Sequence, residues 1–134
     1  MAAIALTTPY SLKNSTLAVA ADDFTEAISQ VRFNPSTSAS TWRGIGGNVL
    51  KDQTIADWSA VIGFAQDLAP TGFLRYLMEH EGEEKEVVFT PVAEGPAITA
   101  TLILSPGGIG GAADGNFATT EVTLAVQGKP AFSV

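Results

Sequence analysis

The sequence predicts a mainly β fold: an antiparallel β-sandwich or barrel-like domain with one flanking α-helix at about residues 71–81. Three observations lead to this prediction. Roughly seven or eight short stretches alternate apolar and polar residues with the period of two that is typical of strands. Glycine, proline, asparagine and aspartate recur between these stretches as turn signals. One stretch alone has helical spacing, and its length of about three turns requires a sheet to pack against.

Length and composition favour one domain with one hydrophobic core. The chain has 134 residues, and 46% of them are hydrophobic, which is enough for a single core. Residues 1–13 begin small and apolar and lack clear strand or helix periodicity, so they are predicted to form an N-terminal arm. Residues 14–134 are predicted to form the domain.

Charge and residue types exclude several classes of function. There is no cysteine, which excludes thiol nucleophiles, thiolate metal sites and disulfides. The formal charge is −7 and the 7 Lys and Arg are scattered, so binding of nucleic acid through neutralised phosphates is not expected. The sequence has no secretory signal pattern and no apolar run of membrane-spanning length, so a soluble, unexported chain without a membrane partner is expected.

The N-terminal half of the domain is predicted to begin with a hairpin. Residues 15–20 and 27–33 alternate in hydrophobicity on either side of Asp22-Asp23, and these two acids mark the turn. Asn34-Pro35 is predicted to end the second strand, because proline cannot donate a hydrogen bond to a neighbouring strand.

Two more short strands are predicted at residues 38–43 and 48–52. Gly44, Gly46 and Gly47 lie between them and give the chain a flexible turn.

Residues 57–82 change their hydrophobic period partway along. Trp58, Ala60, Ile62 and Phe64 occupy alternate positions, which predicts a strand with one strongly apolar face. The alternation stops after Leu68. Beyond it, Phe73, Leu74, Leu77 and Met78 have the spacing of one helical stripe, which predicts the only helix of the chain.

The C-terminal half is predicted to be strands again. Residues 86–90 and 97–104 alternate in hydrophobicity, and a glycine-rich hairpin loop at 105–116 leads to a closing strand at 118–127. Gly128-Lys129-Pro130 is predicted to end that strand.

Candidate chemical sites are few. His80 is the only histidine, and with the surrounding glutamates a metal site is conceivable, but one imidazole among mobile carboxylates is a poor ligand set, so a solvated acidic turn is the preferred interpretation. The loop at 107–111 lacks the Lys-Ser or Lys-Thr of a phosphate cradle and precedes a strand. No serine lies in a strand-turn-helix elbow. No catalytic, metal or cofactor site is predicted.

Polar, uncharged strand faces suggest self-association. Lightly charged strands with few edge lysines suit pairing with another copy of the chain. The acids are unevenly spread, since five of them lie within residues 79–86. The residues on the polar faces are Thr99, Thr101, Thr119, Thr123 and Gln127.

Several stretches, in this order, resemble the major tail tube proteins of long-tailed (siphovirus-type) bacteriophages, especially those that infect actinobacteria. They cover most of the chain. The matching stretches are residues 22–35 (DDFTEAISQVRFNP), 41–47 (TWRGIGG), Trp58, 65–68 (AQDL), 74–82, 88–91 (VFTP) and 122–130 (VTLAVQGKP).

The resemblance implies a structural subunit of the phage tail tube. Six copies would close into a ring, and stacked rings would form a hollow tube that conducts genomic DNA during ejection. It implies a tape-measure protein and tail terminator and tip proteins as partners, and DNA that passes without specific binding. The location would be the virion tail, and the host cytoplasm during assembly. No enzymatic activity and no cofactor are expected.

Within that interpretation, two sets of residues are predicted to meet other molecules. Acids on or beside the polar strand faces would line the lumen, where a charge of the same sign as DNA gives the phosphates no cation to bind. The predicted lumen-facing residues are Glu26, Asp57 and Glu121. The predicted inter-subunit or inter-ring residues are Ile4, Leu6, Pro9, Tyr10, Gly46, Gly47 and Ile109.

A competing interpretation is a small β-sandwich binding module, either carbohydrate-binding or capsid-decorating. Trp42, Trp58 and Tyr76 could then form a stacking surface. For Trp58, packing in the core is the preferred expectation.

Overall fold

The computed structural model describes residues 2–133. Met1 of the predicted arm and Val134 of the predicted domain lie outside the described residues. Within 2–133 the chain forms nine strands, one α-helix and one 3-10 turn. Their bounds are β1 Thr16–Val19, β2 Asp22–Asp23, the 3-10 turn Thr25–Ala27, β3 Ile28–Ser36, β4 Ala39–Arg43, β5 Val49–Gln53, β6 Asp57–Ala65, α1 Phe73–Glu79, β7 Glu84–Thr90, β8 Ile98–Ile103 and β9 Thr119–Phe132.

Seven strands form one antiparallel sheet, in the order β2-β1-β7-β8-β9-β6-β3. The strand β9 lies inside this sheet, where Val126 is opposite Leu102 of β8 and Val122 is opposite Ile62 of β6. Strands β4 and β5 pair only with each other and form a separate hairpin. The predicted antiparallel, mainly β class with one α-helix is confirmed, and the sheet is not closed into a barrel.

The core lies on the inner face of the sheet. Ala60, Ile62 and Phe64 of β6 point inward, and each is at most 1% exposed, as their alternation predicts. The rings of Phe33 in β3 and Phe89 in β7 have centroids 6.5 Å apart, although three strands, β8, β9 and β6, lie between β7 and β3 in the sheet. The sheet therefore curls until its two halves meet across the core.

The helix α1 closes over this core. Phe73, Leu74 and Leu77 are buried, as predicted, and the ring of Phe73 meets that of Phe64 edge-on at 4.9 Å. Met78, the fourth residue of the predicted stripe, is 47% exposed and therefore lies at the edge of that stripe. No helix within residues 2–133 is long and apolar enough to cross a membrane.

The predicted hairpin between residues 15–20 and 27–33 is wrong. Strand β1 pairs with β2 and β7, whereas β3 pairs with β6. Asp22-Asp23 forms β2 rather than the turn, which lies at Ala20, where φ is +54°. The 3-10 turn that follows redirects the chain to the opposite end of the sheet.

Two predicted strand ends are also wrong. Pro35 lies within β3, opposite Trp58 of β6, and it is tolerated there because β3 is an edge strand that needs no donor on its free side. Strand β9 continues past Gly128 to Phe132. A bulge accommodates this extension, since the register shifts between Thr99 and Thr101 of β8 and Gly128 adopts a φ of +83° that favours glycine.

Candidate assembly surfaces

The hairpin of β4 and β5 extends from the body of the molecule. Every residue of both strands is exposed, including Trp42 at 66% and Leu50 at 68%. These two face each other in the hairpin register, so they form an apolar pair on one face. Exposed apolar groups of this size indicate an interaction surface.

Glycines shape the tip of this hairpin. A Cβ on Gly44 would lie 2.0 Å from the Asn48 side-chain oxygen, so a larger residue there would displace the Asn48 side chain. Gly47 has a φ of +88°, which also favours glycine. The tip presents Ile45 fully to solvent. Gly46 and Gly47, predicted to contact another subunit, are exposed at this tip, and their contact stays a prediction.

The N-terminal arm is exposed along residues 2–13. Ile4 is 95% exposed and Leu6 83%. Pro9 and Tyr10 line an apolar groove with Val92 and Phe132, so this part of the arm lies beside the end of β9. The predicted inter-subunit role of these arm residues stays a prediction.

Hydrogen bonds from the side chains of Gln66 and Thr120 hold the loop between β8 and β9 in place. Gln66, which follows β6, donates to the carbonyl oxygens of Gly110 at 2.8 Å and Thr119 at 3.1 Å and to the Thr120 hydroxyl at 3.1 Å. Its own side-chain oxygen accepts from the Gly110 N–H at 3.0 Å. The loop thus presents Ile109, at 63% exposure, and Phe117, at 94%.

Two of the three predicted lumen acids share a face. Asp57 of β6 and Glu121 of β9 lie on the outer face of the sheet, opposite the buried residues. Glu121 pairs with Gly63 of β6. Asp57 is six positions before Gly63 in β6 and therefore lies on the same face. At about 3.3 Å per residue, the two acids are roughly 20 Å apart along β6. Glu26 is exposed on the 3-10 turn instead. The structure does not bring the three acids together.

The outer face of β3, β6 and β9 is polar and carries little charge. Among the positions of this face that pair between β3, β6 and β9, Arg32 is the one basic residue, against Asp57 and Glu121. The other positions are mainly small or polar: Gln30, Asn34, Ser36, Ser59, Val61, Gly63, Thr119, Thr123, Ala125 and Gln127.

In the acidic turn after α1, Glu83 contacts two basic side chains on the surface. The His80 Nδ1 lies 2.7 Å from a carboxylate oxygen of Glu83, and the Lys85 ammonium lies 3.6 Å from the other. The hydrogen bond to His80 holds the pKa of Glu83 below its ordinary value. Among residues 2–133, no group of three or more acids and histidines is arranged to hold a metal ion.

The three aromatic residues of the competing interpretation lie on different elements. Trp42 is on the exposed hairpin, and Trp58 is half-buried at the start of β6 rather than in the core. Tyr76 packs within the molecule, with its ring 5.0 Å from that of Phe24 and 4.4 Å from that of His80. The structure thus does not assemble these three into one stacking surface.

Two features of these surfaces were missed by the sequence analysis. The hydrogen bonds of Gln66 left no sequence signal, because they join residues 44 to 54 positions apart. Arg43 and Lys51 share one hairpin face, and their position on either side of the glycine turn was a usable signal.

Comparisons with known proteins identify the fold. No protein-family model and no curated protein matches the chain. Among solved structures, the sheath/tube terminator of the extracellular contractile injection system PVC, in its extended state, matches with a TM-score of 0.69 and 13% identity, over 97% of this chain and 100% of that one. The cap that terminates the tube of the anti-feeding prophage matches with a TM-score of 0.64 and 10% identity, over 98% and 95%.

A third similar structure is the tail of an empty GTA particle, refined with helical and C6 symmetry. Its TM-score is 0.60 and its identity 18%, over 90% of this chain and 94% of that one. The likeness thus spans nearly the whole of each chain, while the sequences have diverged widely. The chain therefore has the tail-tube-like fold of proteins in phage-like tails and injection systems.

Proposed function

We propose that this protein is a non-enzymatic structural subunit of the tail tube of a long-tailed bacteriophage. Six copies form a ring, and stacked rings form a hollow tube through which genomic DNA passes during ejection. The tape-measure protein lies inside the tube during assembly, and terminator and tip proteins complete its ends. The protein is made in the host cytoplasm and resides in the virion tail.

One observation supports this proposal: over 90% or more of the chain, the fold resembles that of proteins in tube and tail assemblies. The similar structures are covered over 91% or more of their own length, so the likeness spans nearly the whole of each of them. Two of these structures, the GTA tail and a baseplate of the anti-feeding prophage, were determined with six-fold symmetry. This symmetry supports a ring of six.

The surfaces of the molecule support self-assembly. Strand β3 has nine residues and pairs with β6 on one side only. An open edge of this length invites another strand. Pairing of β3 with a neighbouring copy would cover this edge. The exposed hairpin and N-terminal arm can extend to further copies in the same ring or the next.

The polar outer face of β3, β6 and β9 is the proposed channel wall. It carries two acids and one arginine, and its remaining positions are mainly small or polar. Duplex DNA is held to proteins chiefly by Lys and Arg at its phosphates. A wall with this composition would let DNA pass without holding it.

Negative-stain electron microscopy and light scattering of the purified chain test the proposal. Over a range of protein concentrations we expect six-fold rings or hollow tubes. A chain that remains monomeric at all concentrations contradicts self-assembly, and a monomer that binds glycans would instead favour the binding module.

A further inference from the structure

The exposed hairpin has two chemically different faces. Residues opposite each other in an antiparallel pair share a face, and neighbours along a strand alternate. Arg43 is opposite Val49, and Lys51 is opposite Thr41, so both cations lie on one face as diagonal neighbours about 7 to 8 Å apart. The only acid of the hairpin, Asp52, is opposite Ser40 and lies on the other face, beside Trp42 and Leu50.

The charge of the hairpin contrasts with that of the rest of the chain. Arg43, Lys51 and Asp52 give residues 38–54 a formal charge of +1. The whole chain carries −7, so the remainder carries −8. Among residues 2–133, both close contacts between a basic side chain and a carboxylate involve Glu83. Neither hairpin cation is therefore paired with an acid of its own chain within the part that the structure describes.

We propose that the cationic face of this hairpin docks on the acidic body of a second copy of the chain. This inference rests on the proposed self-assembly and specifies its partner and its chemistry. Arg43 and Lys51 meet carboxylates of the neighbour. The opposite face, with Trp42 and Leu50, is left for apolar contact. The hairpin extends from the body of its own subunit, so it can reach a neighbour without rearrangement of the core.

Complementary charge favours a second copy over nucleic acid as the partner. Two cations could neutralise about two phosphates, and such contacts are strongly weakened by salt. The surrounding charge of −8 would repel DNA, whereas the same charge on a neighbouring copy attracts the hairpin. One chain therefore supplies both complementary surfaces.

A charge-reversal pair tests the docking. Arg43→Glu with Lys51→Glu lowers the net charge by four, to −11, and so does the control Arg75→Glu with Lys129→Glu, which changes two exposed cations away from the hairpin. At low salt we expect the hairpin variant to need at least about a tenfold higher concentration than the wild type to assemble. The control should stay within about twofold. The gap between variant and wild type should narrow in 1 M salt, where the Debye length is about 3 Å.

Carbodiimide crosslinking identifies the contact directly. Because this reagent joins an amine to a touching carboxylate, assemblies of mixed isotope-labelled and unlabelled chains should yield Lys51 joined to an acid of a differently labelled copy. The inference is overturned if the hairpin variant assembles like the wild type, if both variants weaken equally, or if Lys51 is crosslinked only within its own chain.

The remaining outcomes separate the inference from the proposed function. If the wild type and the hairpin variant assemble equally well, the docking is refuted and the proposed tube function is not affected. A wild type that never assembles refutes both. Binding of duplex DNA that the hairpin variant loses, with assembly unchanged, assigns the cations to nucleic acid instead.

Discussion

Thr25 joins two parts of the chain through one hydroxyl group. Its Oγ1 accepts a hydrogen bond from the Leu17 N–H at 3.1 Å and donates to the Asp23 carboxylate. Asp23 also accepts from the Thr25 backbone N–H at 2.9 Å. The hydroxyl, followed by this N–H, holds the pKa of Asp23 below its ordinary value of 3.8.

Replacing Thr25 with valine should destabilise the protein by about 1 to 3 kcal/mol at neutral pH, because the Leu17 N–H loses its acceptor. Urea denaturation measures the loss. The Asp23 contribution is present above pH 3.8 and disappears as the pH falls through the lowered folded pKa, so the gap between variant and wild type should shrink in acid. Thr25→Ser, which keeps the hydroxyl, is the control. A valine variant as stable as the wild type would show that the bridge contributes nothing.

Gln66 is the second residue with a large local effect. Gln66→Ala removes two hydrogen bonds to Gly110 in the β8–β9 loop and two to the first residues of β9, Thr119 and Thr120. Hydrogen exchange at the Gly110 amide should accelerate, since this N–H loses its acceptor, and stability should fall by about 1 to 3 kcal/mol. Gln53→Ala, on the exposed hairpin, should change neither quantity. Unchanged exchange at Gly110 would mean that the loop is held by other contacts.

At the scale of the element, α1 offers a matched pair of adjacent positions. Leu77 is fully buried and Met78 is 47% exposed. Leu77→Ala should cost about 2 to 5 kcal/mol of unfolding free energy, whereas Met78→Ala should stay within about 0.5 kcal/mol. Thermal and urea denaturation of the two variants measure the difference. Equal effects would contradict the described orientation of the helix.

The elements also show what hydrophobic alternation can predict. It gave the inner faces of β6 and β8 correctly, because side chains alternate across any strand whatever its partner. It could not give the partners. Strand β3 pairs with β6 instead of forming a hairpin with β1, because the 3-10 turn at Thr25–Ala27 redirects the chain between them. The side-chain hydrogen bonds of this turn join residues from two elements.

The candidate surfaces were predictable to a lesser extent. The exposure of Ile4, Leu6 and Ile109 is compatible with the roles predicted for them, but a contact with another copy has no trace in one chain. Asp57 and Glu121 could be placed on a polar face by alternation alone. Glu26 could not, because it lies in the 3-10 turn, where the period of two does not apply.

At the scale of the whole molecule, the outer face should govern how DNA moves through the proposed tube. Asp57→Lys with Glu121→Lys should leave assembly intact, since both side chains are exposed. The new cations should slow DNA ejection from reconstituted particles at low salt, and the delay should lessen as salt rises. Glu81→Lys, on the turn after α1, is the control. Ejection at the parental rate in low salt would remove this face from the channel.

The position of β9 inside the sheet has a consequence for the order of events during synthesis. It is the last of the nine strands along the chain, yet it joins the half that contains β7 and β8 to the half that contains β6 and β3. While residues 119–132 are still within the ribosome, the two halves lack the strand between them, and such non-local pairing folds slowly. An incomplete chain therefore cannot complete the seven-stranded sheet, which would keep unfinished subunits out of a growing assembly.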